Sequence, residues 1–190
     1  MLYLVIYYSI LYSMEKNYCI TELKDSTQRS QFLREFATVK SWNLCIQYNS
    51  NYENTKILRE IIDEFCNLFG VPLKWKTRLV LIFDELNNNA IEHWSIESDM
   101  NRCFISLKKR KDWIYIIGYV EDTWNAVDAK DYKQMKILQE QFKNKDFSKH
   151  QSIRGRGLFL IISQLVQVLD FRPASIWWVQ VYFEKLIPLE

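Results

Sequence analysis

The chain has 190 residues, enough for one domain and scarcely for two. Apolar residues make up 48% and charged residues 25%, so there is ample apolar surface to offset ordering entropy, and disordered or fibrous classes are excluded. With 25 basic against 23 acidic residues the formal net charge is +2, too small an excess for phosphate neutralisation, and nucleic acid is not an expected partner.

Residues 1–12, MLYLVIYYSILY, are apolar except for Ser9, and no basic residue precedes Lys16. A membrane-spanning helix needs about 20 apolar residues, and a secretory signal needs a positive leading segment with a small-residue cleavage site. Neither pattern is present, so no membrane span is expected. The aromatic and β-branched content suits a strand, and Met14 offers a second start that would make residues 1–13 a spurious extension. Residues 1–41 are expected to form an N-terminal extension, with 14–41 adding a helix or an arm, and 42–190 to form the functional domain.

Residues 42–48 (WNLCIQY) alternate loosely, as a strand does. The polar run Asn49 to Asn54 offers a helix cap. Ile57, Leu58, Ile61, Ile62, Phe65, Cys66, Leu68 and Phe69 then recur at helical spacing until Gly70 stops them. Pro72 opens a second helix, expected to run to about Trp94. Two strands follow, near 102–108 and 113–121, joined by the basic turn Lys108 to Lys111. Residues 128–153 are lysine-rich, with helical spacing at Met135, Leu138 and Phe142 but few core-sized side chains to pin them down. An apolar helix is expected over Leu158 to Leu169 and a last strand over 175–184. The sum is one α+β domain, with helices on one face of a mixed sheet.

The four cysteines (19, 45, 66 and 103) form no CxxC pair, and two histidines cannot complete a four-ligand zinc site. Reduced thiols in a cytoplasmic protein are expected.

Three phrases carry chemistry. On the second helix, Glu85, Asn89 and His93 stand at i, i+4 and i+8 and would form one polar stripe beside a core face of Leu79, Ile82, Phe83, Leu86 and Ala90. Three consecutive asparagines, 87–89, are poor helix formers; they read equally as a solvated face or as a site where an amide and a carboxylate share a metal and its water. Asp122, where a strand runs out, can accept a hydrogen bond from a ligand amine or can simply be a turn aspartate. Arg154-Gly155-Arg156-Gly157 precedes an apolar helix, which reads as a plain helix entry or as an arrangement in which backbone N–H groups approach an anion.

In this order, DELNNNAIEH (84–93), Asp122 and GRGLFLI (155–161) resemble the GHKL ATPase superfamily, and within it most closely the small anti-sigma factor serine/threonine kinases. The likeness covers about residues 42–186. It implies a two-layer α/β sandwich of the Bergerat type, with a mobile lid over 128–153. By the same resemblance Glu85 is the general base, and Asn89 the Mg²⁺ ligand. Asp122 bonds the adenine amine, while Gly155 and Gly157 wrap the ATP phosphates. Lys143, Lys145, Lys149, His150, Arg154 and Arg156 suit a polyphosphate. The implied partners are a sigma factor and an antagonist bearing the acceptor serine, with a homodimer also compatible. A histidine kinase would need a phospho-accepting histidine on a helical segment, and no histidine precedes residue 42.

The chain departs from the family at one point. The family reads D-x-G-x-G after the adenine-binding aspartate, whereas here Trp124 and Ala126 replace both glycines. An indole there either blocks the adenine pocket or reshapes it by stacking on the base, and Ala126 resists a positive φ. The alternative reading is therefore a degenerate nucleotide-binding fold that acts as a non-enzymatic partner-binding regulator.

Overall fold

The computed structural model describes residues 17–23, 25–35, 41–96, 98–122, 131–143, 165–174 and 179–189. In chain order these form β1 (Asn17–Cys19), a 3-10 turn (Ile20–Leu23), α1 (Ser26–Glu35), β2 (Ser41–Asn49), α2 (Tyr52–Leu68), α3 (Leu73–Asn89) with a π turn (Ala90–Trp94), β3 (Met100–Lys109), β4 (Trp113–Asp122), α4 (Tyr132–Lys143), β5 (Val168–Pro173) and β6 (Val179–Pro188). The six strands make one mixed sheet in the order β1-β2-β3-β4-β6-β5, in which the β1–β2 pair is parallel and the others antiparallel. The chain is thus α+β. No helix among the described residues is long and apolar enough to cross a membrane.

Local chemistry explains the two helices that face the sheet. At α2, the Asn51 side chain accepts from the Glu53 amide at 2.8 Å and satisfies one of the free donors of the first turn. Leu58, Ile61, Ile62, Phe65 and Cys66 turn one apolar stripe inward. Gly70, at φ +64°, ends the helix in the left-handed conformation that a side chain resists, and the Lys109 ammonium donates to the Phe69 carbonyl beside it at 2.9 Å. Pro72 caps α3, which needs no amide there, and Trp75 and Lys76 donate to its carbonyl.

The core lies between these helices and one face of the sheet. Trp42, Leu44 and Ile46 of β2, Ile105 and Leu107 of β3, Ile114, Ile116 and Val120 of β4, and Val181, Phe183 and Ile187 of β6 are buried there with the α2 and α3 stripes. A second, smaller cluster of Cys45, Phe104, Tyr119 and Tyr182 occupies the other face, where the Phe104 and Tyr119 rings stack at 4.5 Å. Beside it Glu121 pairs with Arg102 at 3.4 Å and accepts from Gln180 at 2.8 Å.

Residues 17–35 supply the edge strand β1 and the helix α1. Arg29 on α1 pairs with Glu60 of α2 at 2.7 Å and Ser30 donates to Glu64 at 2.8 Å, so this helix is fastened to α2. At the other end of the sheet, α4 opens with a reciprocal cap: the Gln134 amide donates to Asp131 and the Asp131 amide to Gln134. Its Met135 is buried, Gln139 donates to the Leu169 carbonyl at 2.7 Å, and Lys136 pairs with Asp170 at 3.1 Å. The described part of the expected lid is therefore docked on β5, because a few well-placed polar contacts make up for its scarcity of apolar side chains. A second difference lies just before it in the sheet. Residues expected to end an apolar helix at Leu169 are strand from Val168 onward, with Val168 to Pro173 paired to β6. A run apolar throughout reads equally as helix or buried strand, and pairing with Glu184, Phe183 and their neighbours decides it.

Gly118, in the middle of β4, faces the core. A Cβ there would lie 2.3 Å from the Phe183 ring and 2.8 Å from Phe83, whose rings meet edge to face at 5.2 Å. The missing side chain is what seats α3 on the sheet. Gly118→Ala should cost about 1–3 kcal/mol by overpacking, read as a lower urea midpoint at unchanged slope; an unchanged midpoint would mean that the rings yield freely.

Candidate functional site

The sheet becomes polar at one end. Asn49 at the end of β2 pairs with Met100 at the start of β3, and Asp122 at the end of β4 pairs with Val179 at the start of β6. On the helix-facing side, the apolar row of Ile46, Cys103, Val120 and Val181 gives way to Tyr48 and Asn101, which pair with each other, and to Asp122. All three of these polar side chains are fully buried. Asn101 donates to the Ser50 hydroxyl at 2.8 Å and accepts from Ser95 at 2.6 Å, which ties the start of α2 and the segment after the π turn to β3.

The C-terminal turns of α3 come down on this end. Tyr48 donates its hydroxyl to the Asn87 side-chain oxygen at 2.6 Å, and β4 touches the π turn. Asn87 is itself buried, and its amide nitrogen donates to the Phe83 carbonyl at 2.7 Å and to the Cys103 sulfur at 3.7 Å. Of the three asparagines, then, 87 belongs to the interior, while Asn88 and Asn89 are half-buried. The sequence signal was present: position 87 lies four after Phe83 and next to Leu86, on the edge of the apolar stripe.

Glu85 is half-buried on the same helix. Burial raises its carboxyl above the ordinary value of 4.5, and the neighbouring charges of Asp84 and Glu92 add to the effect. Asp84 is held in turn by Arg59, at 2.6 Å, whose own value is raised by that bond. A carboxyl that holds its proton more firmly is a better base once ionised, the property general-base chemistry requires. Two of the thiols offer no such chemistry. Burial pushes Cys66 and Cys103 up to about 12, so both are protonated and unreactive at neutral pH.

Asp122 closes β4 on the core side. Its charge, together with Cys103 and above all burial, pushes the Tyr48 phenol well above its usual range, which places the carboxylate within electrostatic reach of that hydroxyl. Asn87 bonds Tyr48 and Asp122 lies within electrostatic reach of it, so the stretch of α3 that carries Glu85 and Asn89 ends at the same end of the sheet as Asp122. The straight stripe expected to include His93 is interrupted, since α3 leaves α geometry at Ala90 and a π turn shifts the angular register of everything after it. Trp124, Ala126, Arg154, Gly155, Arg156 and Gly157 lie outside the described residues, as do Lys145, Lys149, His150 and the His93 and Lys143 side chains. An open groove along α1, lined by Ser26, Thr27, Ser30, Gln31 and Arg34, contains none of the expected site residues.

Magnesium is the metal that the sequence motifs imply. Mg²⁺ takes one or two protein oxygens and fills its remaining positions with water and phosphate, and the Asn89 amide oxygen is a ligand of that kind. No cluster of three or more His, Cys, Asp or Glu able to hold a metal occurs among the described residues. Comparison with protein-family models finds no match, and neither does comparison with curated proteins.

The raised Glu85 carboxyl makes a signed prediction. A group whose value is raised on folding favours the fold below the ordinary carboxylate range and loses that contribution as pH rises through the folded value. Glu85→Gln should therefore be more stable than the parent at pH 7, by under about 1 kcal/mol because the side chain is half exposed. The advantage should vanish near pH 3, as measured by urea denaturation across pH.

Proposed function

We propose that this chain is an ATP-binding serine/threonine protein kinase of the anti-sigma factor type, built on a Bergerat-type domain of the GHKL superfamily. The observation that supports this reading is that Glu85 and Asn89 stand on the helix whose Asn87 bonds Tyr48 at the end of the sheet where Asp122 closes β4, in the order that the motifs of that superfamily have. Residues 154–157 add a glycine-rich phrase suited to phosphates.

In this reading Asp122, buried where β4 ends, accepts the adenine amine. Asn89 would hold Mg²⁺ through its amide oxygen, and when bound the ion would supply charge neutralisation at the phosphates. Glu85 takes the proton from the acceptor hydroxyl as that oxygen attacks the γ-phosphorus, the bond from that phosphorus to the bridging oxygen breaks, and ADP leaves with the bridging oxygen. Phosphoryl transfer asks for positioning and charge neutralisation more than for covalent help, so this short residue set is enough. The substrate is a protein serine or threonine, the partner set a sigma factor and its antagonist, and the setting the cytoplasm, where free thiols such as Cys45, Cys66 and Cys103 stay reduced.

Trp124 favours a second reading, a nucleotide-free or nucleotide-weak fold that acts by binding a partner. Thermal shift with millimolar ATP or ADP and Mg²⁺ separates the two, because a ligand bound only to the native state raises the midpoint. The kinase reading expects a shift with both nucleotides and a larger one for Trp124→Gly if the indole obstructs the pocket. No shift, with silent calorimetry, replaces it by the partner-binding reading. Within the kinase reading, Glu85→Gln should keep nucleotide and lose turnover by about 100-fold or more. Asn89→Ala should weaken the Mg²⁺-dependent part of binding, seen as titrations with and without the ion drawing together.

A further inference from the structure

Asn87 is an amide in an apolar position, and each of its polar atoms has a partner. Its oxygen accepts from Tyr48 at 2.6 Å, and its nitrogen donates to the Phe83 carbonyl at 2.7 Å and toward the Cys103 sulfur at 3.7 Å. Phe83 lies one turn earlier on the same helix, so the side chain bonds back to the helix's own ladder, a contact that bends or loosens helices. The irregularity follows at once. The Ala90 amide is shared between the carbonyls of Asn87 and Leu86, and the π turn Ala90–Trp94 begins there. Single π turns within helices need a local cause, and they concentrate at functional sites. Tyr48 reaches Asn87 from β2 across 39 positions of sequence.

We infer that Tyr48 and Asn87 are positioning residues: their buried hydrogen bond pins the carboxamide against the Phe83 carbonyl, sets the point where α3 passes into the π turn, and so fixes how the adjacent Asn89 and the earlier Glu85 face the end of the sheet. The mechanism is steric and directional. With the phenol in place the Asn87 oxygen is satisfied only when the amide nitrogen points along the helix. Without it the carboxamide is released, and the ladder at residues 87–94 has no reason to keep its widened turn. Phe83 connects this to the core, because the residue whose carbonyl receives Asn87 also carries the ring that packs over Gly118. The part of this inference that concerns Asn89 and Mg²⁺ rests on the proposed kinase reading; the part that concerns the turn does not.

The test is the double variant Tyr48→Phe/Asn87→Leu, which replaces both partners by apolar groups of similar size and so leaves no buried polar atom unmet. Its urea midpoint should match the parent. Amide hydrogen exchange at residues 88–94 should nevertheless be faster by roughly tenfold, relative to residues 58–65 of α2 in the same protein. The Mg²⁺-dependent part of ATP affinity should fall by a similar factor while the Mg²⁺-independent part stays. Exchange at 88–94 that equals the parent in a stability-matched double variant overturns the inference, because a mere packing pair would give that result. If the parent itself binds no nucleotide, the kinase reading fails and the exchange measurement alone decides the inference. Should the double variant not fold, Tyr48→Phe alone is compared in the same way, against its own α2 as the reference.

Discussion

How closely α3 can approach the sheet is set at Gly118, where any side chain would overlap the Phe183 ring at 2.3 Å and Phe83 at 2.8 Å. Phe83 sits on the same helix as Glu85, Asn87 and Asn89, so the contact that seats the helix also sets the height of its polar residues above the strands. A hydrogen bond of 2.6 Å from Tyr48 to Asn87 leaves little room for a helix lifted by the thickness of a methyl group. Packing in the centre and polarity at the end are in this way one constraint.

From that point the sheet changes character along its length. The rows through Leu44, Ile105 and Ile116 are apolar and bury with α2 and α3 into a single core. Beyond the row of Ile46, Cys103 and Val120, Tyr48, Asn101 and Asp122 are just as deeply buried, and burial of such groups is tolerable only with partners. Asn87 partners Tyr48, and Ser50 and Ser95 partner Asn101. These bonds stitch the ends of β2, α3 and the segment before β3 together, which confines the polar end to one arrangement. An apolar row there would pack as well, yet it would orient nothing.

Much of the architecture was legible in short windows of sequence. The stripe of Leu58, Ile61, Ile62, Phe65 and Cys66, the cap at Asn51 and the stop at Gly70 each depend on residues within a turn or two of one another, and α2 follows them. The same holds for β3 and β4, and for the core face of α3 through Leu79, Ile82, Phe83 and Leu86. Two expectations gave way to pairing across longer separations. Val168 and Leu169 were apolar in a helix-compatible run, but β6 takes them as an edge strand; Met135 and Gln139 dock α4 where a lysine-rich stretch promised few anchors.

For the site, the sequence alone determined that Glu85 and Asn89 lie one turn apart on a helix and that Asp122 ends a strand, since both follow from local periodicity. It put Asn87 on the edge of the apolar stripe but did not decide that its amide is fully buried, because that depends on the angle at which α3 meets the sheet. That angle is set by Gly118 and Phe183, and the partner of the buried amide, Tyr48, comes from a strand 39 residues earlier. Nor could periodicity carry the polar stripe past Asn89, where the helix widens into a π turn. A helix repeat is a property of neighbouring residues, whereas the place where the repeat breaks is decided by side chains that only the folded chain brings together.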